Sequence, residues 1–197
     1  YSIMNTPKKI VITGATGFIG SHVADLLLAR GYDVRAIARK TSNLRWLSGK
    51  NIEIIDGGLS NPASLQKAME DVEIVFHVAG LTAARNAEEF MRGNRDGTRN
   101  MLEAAYKYAP NIKRFLHVSS LAAVRPATSL GAPVDETTPS APITSYGISK
   151  KAAEDDVEHG QHEDQHAGRQ AHRGDGLGEV ARQASEAHGE LEERGAS

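Results

Sequence analysis

The sequence predicts an α/β fold organised as a doubly wound parallel sheet. Three observations carry this. From residue 4 to about Glu154 short apolar runs alternate with amphipathic segments, as when strands cross over through helices. A glycine-rich turn joins the first apolar run to the first amphipathic segment. The chain of 197 residues, 40% hydrophobic, suits one domain with a substantial core.

In chain order, "KKIVITG" reads as a buried first strand and "GSHVADLLLARG" as the helix after it, closed by Gly31. "DVRAIAR" is the second strand and "IEIIDG" the third. A helix over "NPASLQKAMED" follows, with Asn61 as N-cap and Pro62 in its first turn. "VEIVFHVAG" is the fourth strand, "GTRNMLEAAYKY" a helix and "IKRFLHVSS" the fifth strand. Right-handed crossovers between five such strands build a Rossmann-like nucleotide-binding domain over residues 4–154.

Bulk composition narrows the partners. A formal net charge of -2 provides no electrostatic drive toward nucleic acid or an anionic membrane, so a small-molecule ligand is expected. The chain has no cysteine, which removes disulfides and thiolate metal sites and fits a cytoplasmic location. Neither a membrane span nor a basic-then-apolar leader is indicated.

In "TGATGFIG" Gly14, Gly17 and Gly20 follow a GxxGxxG spacing between strand and helix. Glycine suits a tight turn, close approach of backbone to a pyrophosphate and close helix packing. The amides of the helix N-terminus then face the phosphates, so Gly14, Thr16, Gly17, Phe18, Ile19 and Gly20 form a candidate cofactor site. At the end of the second strand an acidic residue would bind a ribose 2'-hydroxyl. The chain instead has Ala38, then Arg39 and Lys40, which favours NADP over NAD.

Tyr146 and Lys150 are spaced to share one helical face. An ammonium beside a phenol favours the phenolate, making Tyr146 a candidate general acid/base. Ser120, at the end of the fifth strand, can orient a substrate oxygen against it. Asn94 reads as a buried scaffold amide and His77 as a packing residue.

With these residues assembled, the chain resembles the extended short-chain dehydrogenase/reductases, the NAD(P)-dependent sugar epimerase/dehydratase group. The matching stretches are "VITGATGFIG", "FHVAG", "GNRDGTRNMLEAA", "RFLHVSSLAAV", "VDETTP" and "YGISK". The resemblance implies pyrophosphate binding by Gly14, Gly17 and Gly20, a ribose lined by Ala79 and Gly80, and catalysis by Ser120, Tyr146 and Lys150. Lys150 would also hold the nicotinamide ribose. It further implies a nucleotide-sugar or related hydroxyl/carbonyl substrate, with Tyr146 moving the hydroxyl proton as hydride passes to or from the nicotinamide. The stretch "GGL" stands where such proteins often have "GDL". Gly58 and Leu59 thus occupy the adenine side without the acid, leaving Ser60 or Asn61 as substitutes. Val124 and Arg125 replace a common Tyr-Gly pair, unlike the best-known galactose epimerases.

Residues 155–197 read differently. Their only large apolar side chains are Val157, Leu177, Val180 and Leu191, so an irregular polar tail is expected where relatives continue with a strand and a substrate domain. Three readings compete: a metal arm using His159, His162 and His166, an ordinary disordered tail, and out-of-frame translation. The last leads, since "HAGRQAHRG" read one nucleotide later permits "TPVVRPTAV", with the Arg-Pro pair of the family's next strand; no metal site is assigned. The expectation is a truncated oxidoreductase, epimerase or dehydratase in which nucleotide binding outlasts turnover and exposed sheet surface favours association, such as a homodimer. The alternative is a non-catalytic NADP sensor on the same fold.

Overall fold

The computed structural model describes residues 8–129 and 132–166, with backbone alone for 161–166. Five strands, β1 (Lys9–Thr13), β2 (Asp33–Ala38), β3 (Ile52–Asp56), β4 (Ile74–His77) and β5 (Arg114–His117), form one parallel sheet in the order β3-β2-β1-β4-β5. All five fall where the apolar runs placed them. The order reverses between β1 and β4, opening a crevice at the C-terminal ends of these two strands.

Alternation along the strands builds two cores. Ile10, Ile12, Val34, Ala36, Ile74 and Phe76 face Val23, Ala24 and Leu27 of α1 (Phe18–Ala29). Val11, Ile37, Ile55 and Val75 face α2 (Pro62–Ala68) and α4 (Gly97–Tyr108) on the other side. Each such large side chain contributes about 1.5–3 kcal/mol on full burial. Both edge strands are less covered than the centre: β5 is half-buried along its length, and β3 exposes Glu53, Ile54 and Asp56.

Local chemistry sets the helix ends. Gly31, at φ 77°, follows α1 and its amide returns to Leu28 O at 2.9 Å. The Asn61 carboxamide oxygen accepts from the amides of Ala63 and Ser64, capping α2 as expected. Buried Arg35 closes the other end of α2, donating to Lys67 O, Ala68 O and Glu70 O, and pairs with Glu53 at 2.8 Å.

Before α4 the chain is already helical from Ala87, through α3 (Ala87–Phe90) and a π-helical turn over Met91–Asp96. The last helix, α5, runs Ser145–His166. Helix rather than irregular chain therefore follows Glu154. The reason is docking: Asp156 pairs with Arg99 at 2.9 Å and Arg95 at 3.3 Å, Val157 is buried, and Lys151 bonds Asp155 one turn on. Residues 167–197, on which most of the expected out-of-frame stretch falls, lie outside the described ones.

Candidate functional site

The turn after β1 is built for close approach. Gly14 has φ 73°, and a Cβ on it would lie 2.8 Å from Ala79 N; one on Gly20 would lie 2.1 Å from Gly14 O. The β1 and β4 loops thus touch at the switch point, with α1 starting directly between them. No side chain caps α1 at Gly17, so its positive end is left to an anion. Thr16, Phe18 and Ile19 are half-buried around this turn. Exposed Gly80 lies on the same rim; a Cβ there would be 3.3 Å from Asn94 Oδ1 and 3.7 Å from Lys150 Nζ. A tight glycine turn, an uncapped helix end and a rim without side-chain bulk fit a dinucleotide.

Beyond β2 the Arg39 stem passes Gly58, its Cγ 3.8 Å from where a Cβ would stand. Lys40 Nζ is 3.5 Å from Asp56 Oδ2, both side chains being well exposed. Leu59 packs on Gly97, and its carbonyl accepts from Asn100 Nδ2 at 2.8 Å. Asn61 Oδ1 accepts the amides of Ala63 and Ser64, so its side-chain oxygen is taken up by the α2 cap.

Strand register places Thr13, His77 and His117 in one row across β1, β4 and β5. Thr98 Oγ1 gives its single proton to Asn94 O (2.7 Å), so it accepts from His77 Nε2 at 3.0 Å. His77 Nδ1 is then the acceptor for Thr13 Oγ1 at 2.8 Å, and Thr13 in turn accepts the Ala79 amide at 3.1 Å. His77 is therefore more than packing: it ties the Ala79 loop to α4. Asn94, buried in the π-helical turn, is the expected scaffold amide. It accepts from Leu81 N at 2.6 Å and donates to Leu81 O at 3.1 Å and Ser149 Oγ at 2.9 Å.

Thr144 Oγ1 accepts the Gly147 amide at 3.0 Å, starting α5. Ser120 precedes a 3-10 turn (Leu121–Ala123), its hydroxyl accepting the Ala122 amide at 3.2 Å. A Cβ on Gly147 would stand 2.2 Å from Ala122 O, so the first turn of α5 lies directly on the turn that follows Ser120. Tyr146 is half-buried beside Phe90, ring centroids 5.8 Å apart, and Lys150 is buried one turn on, donating to Val118 O at 2.8 Å. The structure thus gathers Ser120, Tyr146, Lys150, Ala79, Gly80 and the glycine turn at the C-terminal edge of the sheet. Arg39, Lys40, Gly58 and Leu59 lie beyond β2 and β3. Gly147 and His117 escaped the sequence reading. A glycine inside a helical pattern signals close backbone approach and pointed to the first; no local signal marked the second.

Burial pushes the Lys150 ammonium down to about 8, against the opposing pull of Glu154. Burial first, and then the Lys150 charge, hold His117 at about 3. Burial, His117 and Lys150 hold His77 well below the usual imidazole range. Both imidazoles are neutral in the fold and protonate in the unfolded chain, so the unfolded state binds more protons below about pH 6.5, for His117 down to about pH 3. Their stabilising effect is complete above pH 6.5 and is lost as pH falls through that window. Urea midpoints are expected to decline there, and His117→Gln to reduce the slope by up to about 1.4 kcal/mol per pH unit. Equal slopes for the two proteins would rule out the His117 contribution.

His159 Nδ1 bonds Asp155 O at 2.5 Å, and among the described residues no group of three metal-ligating side chains gathers. The described helices include none long and apolar enough to cross a membrane.

A parallel sheet with a glycine turn at an uncapped helix N-terminus, faced by a Tyr-x-x-x-Lys helix, defines a Rossmann-like domain of the dinucleotide-binding class. The model of the NAD dependent epimerase/dehydratase family matches residues 10–167, and the chain belongs to that family. It is 36% identical over 148 residues to a ceramide reductase of Caulobacter vibrioides, covering 75% of this chain and 41% of that one. A UDP-glucose 4-epimerase of Thermotoga maritima, solved with UDP-glucose, superposes with TM-score 0.70 at 28% identity, covering 79% of this chain and 52% of that one. The enzyme WbmG of Bordetella bronchiseptica, solved with NAD, superposes with TM-score 0.68 at 26% identity, with 81% and 52% covered. The chain spans about half the length of the curated relatives it matches.

Proposed function

We propose that this chain is the cofactor-binding and catalytic portion of an NADP-preferring oxidoreductase, epimerase or dehydratase acting on a hydroxyl or carbonyl substrate. Buried Lys150, one turn from Tyr146 on a helix seated against the Ser120 turn, is the observation that carries this reading. A sensor of dinucleotides has no need of a buried cation beside a phenol. The Gly14–Gly20 turn and the N-terminus of α1 would hold the pyrophosphate. Ala79 and Gly80 would line the cofactor ribose, and Lys150 would hold the nicotinamide ribose. When bound, the nicotinamide supplies or accepts the hydride. Tyr146 donates or removes the proton of the reacting oxygen, Ser120 orients that oxygen, and Lys150 supplies the positive charge that favours the phenolate.

A nucleotide-sugar is the proposed substrate class, by likeness to the Thermotoga epimerase. NADP is preferred because β2 ends in Ala38 rather than an acid and is followed by exposed Arg39, whereas Lys40 already faces Asp56. Fluorescence titration of the intact chain is expected to show tighter binding of NADPH than NADH, with Arg39→Ala cutting the preference about tenfold. Equal affinities in the parent chain would overturn the NADP assignment, and no binding of either nucleotide would overturn the function. Hydride transfer to UDP-4-ketohexoses, followed by nicotinamide absorbance, tests the substrate class.

A further inference from the structure

A titratable side chain against Lys150 has no part in the scheme above. His117 closes β5 beside His77, the two rings stacked at 5.4 Å between centroids and 25° between planes. Its Nε2 lies 3.3 Å from Lys150 Nζ. An ammonium has only protons to offer, so in this contact the imidazole contributes a lone pair at Nε2. Its proton therefore sits on Nδ1, a buried atom with no partner among the described residues. Leaving a buried ring nitrogen unpaired is costly, and an apolar residue of similar shape would avoid that cost; the other tautomer would still leave Nδ1 unpaired and would turn an N–H toward the ammonium. The neighbouring His77 carries the opposite tautomer, with its proton on Nε2 toward Thr98.

We propose that His117 is a positioning residue for Lys150, accepting one ammonium proton at Nε2 so that, with Val118 O taking a second, the third is directed to the cofactor and substrate side. A neutral acceptor suits this task better than a carboxylate. It fixes the direction of the ammonium without cancelling the charge, whereas Asp or Glu at this depth would neutralise it. The groups facing Lys150 agree with this. His77 on β4 and His117 on β5 are both uncharged near neutral pH, and Glu154, on α5 itself, is the anion that acts on it among the described residues. The Gly80 rim leaves the approach to Nζ open, since even a Cβ there would stay 3.7 Å away.

The inference rests on the proposed role of Lys150, but its test needs neither cofactor nor turnover, so the two fail separately. In the unmodified chain, long-range nitrogen-proton NMR of His117 is expected to report the Nδ1–H tautomer at neutral pH. An Nε2–H tautomer overturns the proposal. The Lys150 titration, read from its Cε and Nζ resonances and assigned with Lys150→Met, is expected to move down by a unit or more, at least tenfold in the equilibrium, in His117→Leu. His117→Gln, whose amide oxygen can reach the Nε2 position, is expected to restore it to within a few tenths of a unit. A purely structural His117 predicts the same midpoint in all three folded proteins, and that result also overturns the proposal. If His117→Leu does not fold, the tautomer still decides.

Discussion

Tyr146→Phe is expected to lower turnover by roughly two to four orders of magnitude while leaving NADPH affinity within about twofold. The substitution removes one oxygen and keeps the ring, so the contact with Phe90 at 5.8 Å and the seat of α5 persist. The elements proposed to hold the pyrophosphate, Gly14 to Gly20 and the start of α1, are distant in sequence from Tyr146 and are not altered by the substitution. What would be lost is the group proposed to exchange a proton with the reacting oxygen, an interaction made in the transition state. It therefore appears in kcat rather than in nucleotide binding. Steady-state rates beside a nucleotide titration separate the two quantities. Unchanged turnover with retained binding would falsify the acid/base role.

Gly147→Ala is expected to destabilise the fold by about 2–3 kcal/mol and to reduce turnover more than nucleotide affinity. Propensity alone argues the other way, since alanine in a helix is favoured over glycine by about 1 kcal/mol. The difference is the neighbour. The new Cβ would meet Ala122 O at 2.2 Å, Ala122 C at 3.0 Å and Pro142 Cβ at 3.1 Å, and the first two are backbone atoms with no rotamer to yield. Relief requires moving α5 away from the turn after Ser120, which separates Ser120 from Tyr146 and disturbs the Lys150 bond to Val118 O. Gly160→Ala on the same helix is the control. Its Cβ would meet the Tyr106 hydroxyl at 2.8 Å, the far end of a side chain that can turn aside. Urea midpoints rank the two variants. A raised midpoint for Gly147→Ala would exclude the close-contact account.

The elements were legible because each rests on nearest-neighbour chemistry. Apolar runs such as "IVIT" bury on both faces of a parallel sheet, and Asn61-Pro62 starts a helix by its own hydrogen bonds and fixed φ. Composition misled at Glu154 because α5 beyond that point is held by partners distant in sequence. Arg95 and Arg99 wait on α4 and its π-helical turn for Asp156, and no local periodicity announces them.

The sequence by itself determined the sheet, the glycine turn and the Tyr146–Lys150 spacing, because strand alternation, turn geometry and helical pitch are short-range properties of the chain. Only the tertiary structure decided what surrounds them. Strand register set His77 beside His117, packing of α5 brought Lys150 to His117 and Val118 O, and the missing Cβ of Gly147 let that helix reach the Ser120 turn. Burial and charge at Lys150 follow from contacts across β4, β5 and α5. They arise from folding in three dimensions, where residues far apart in the chain share one low-dielectric space.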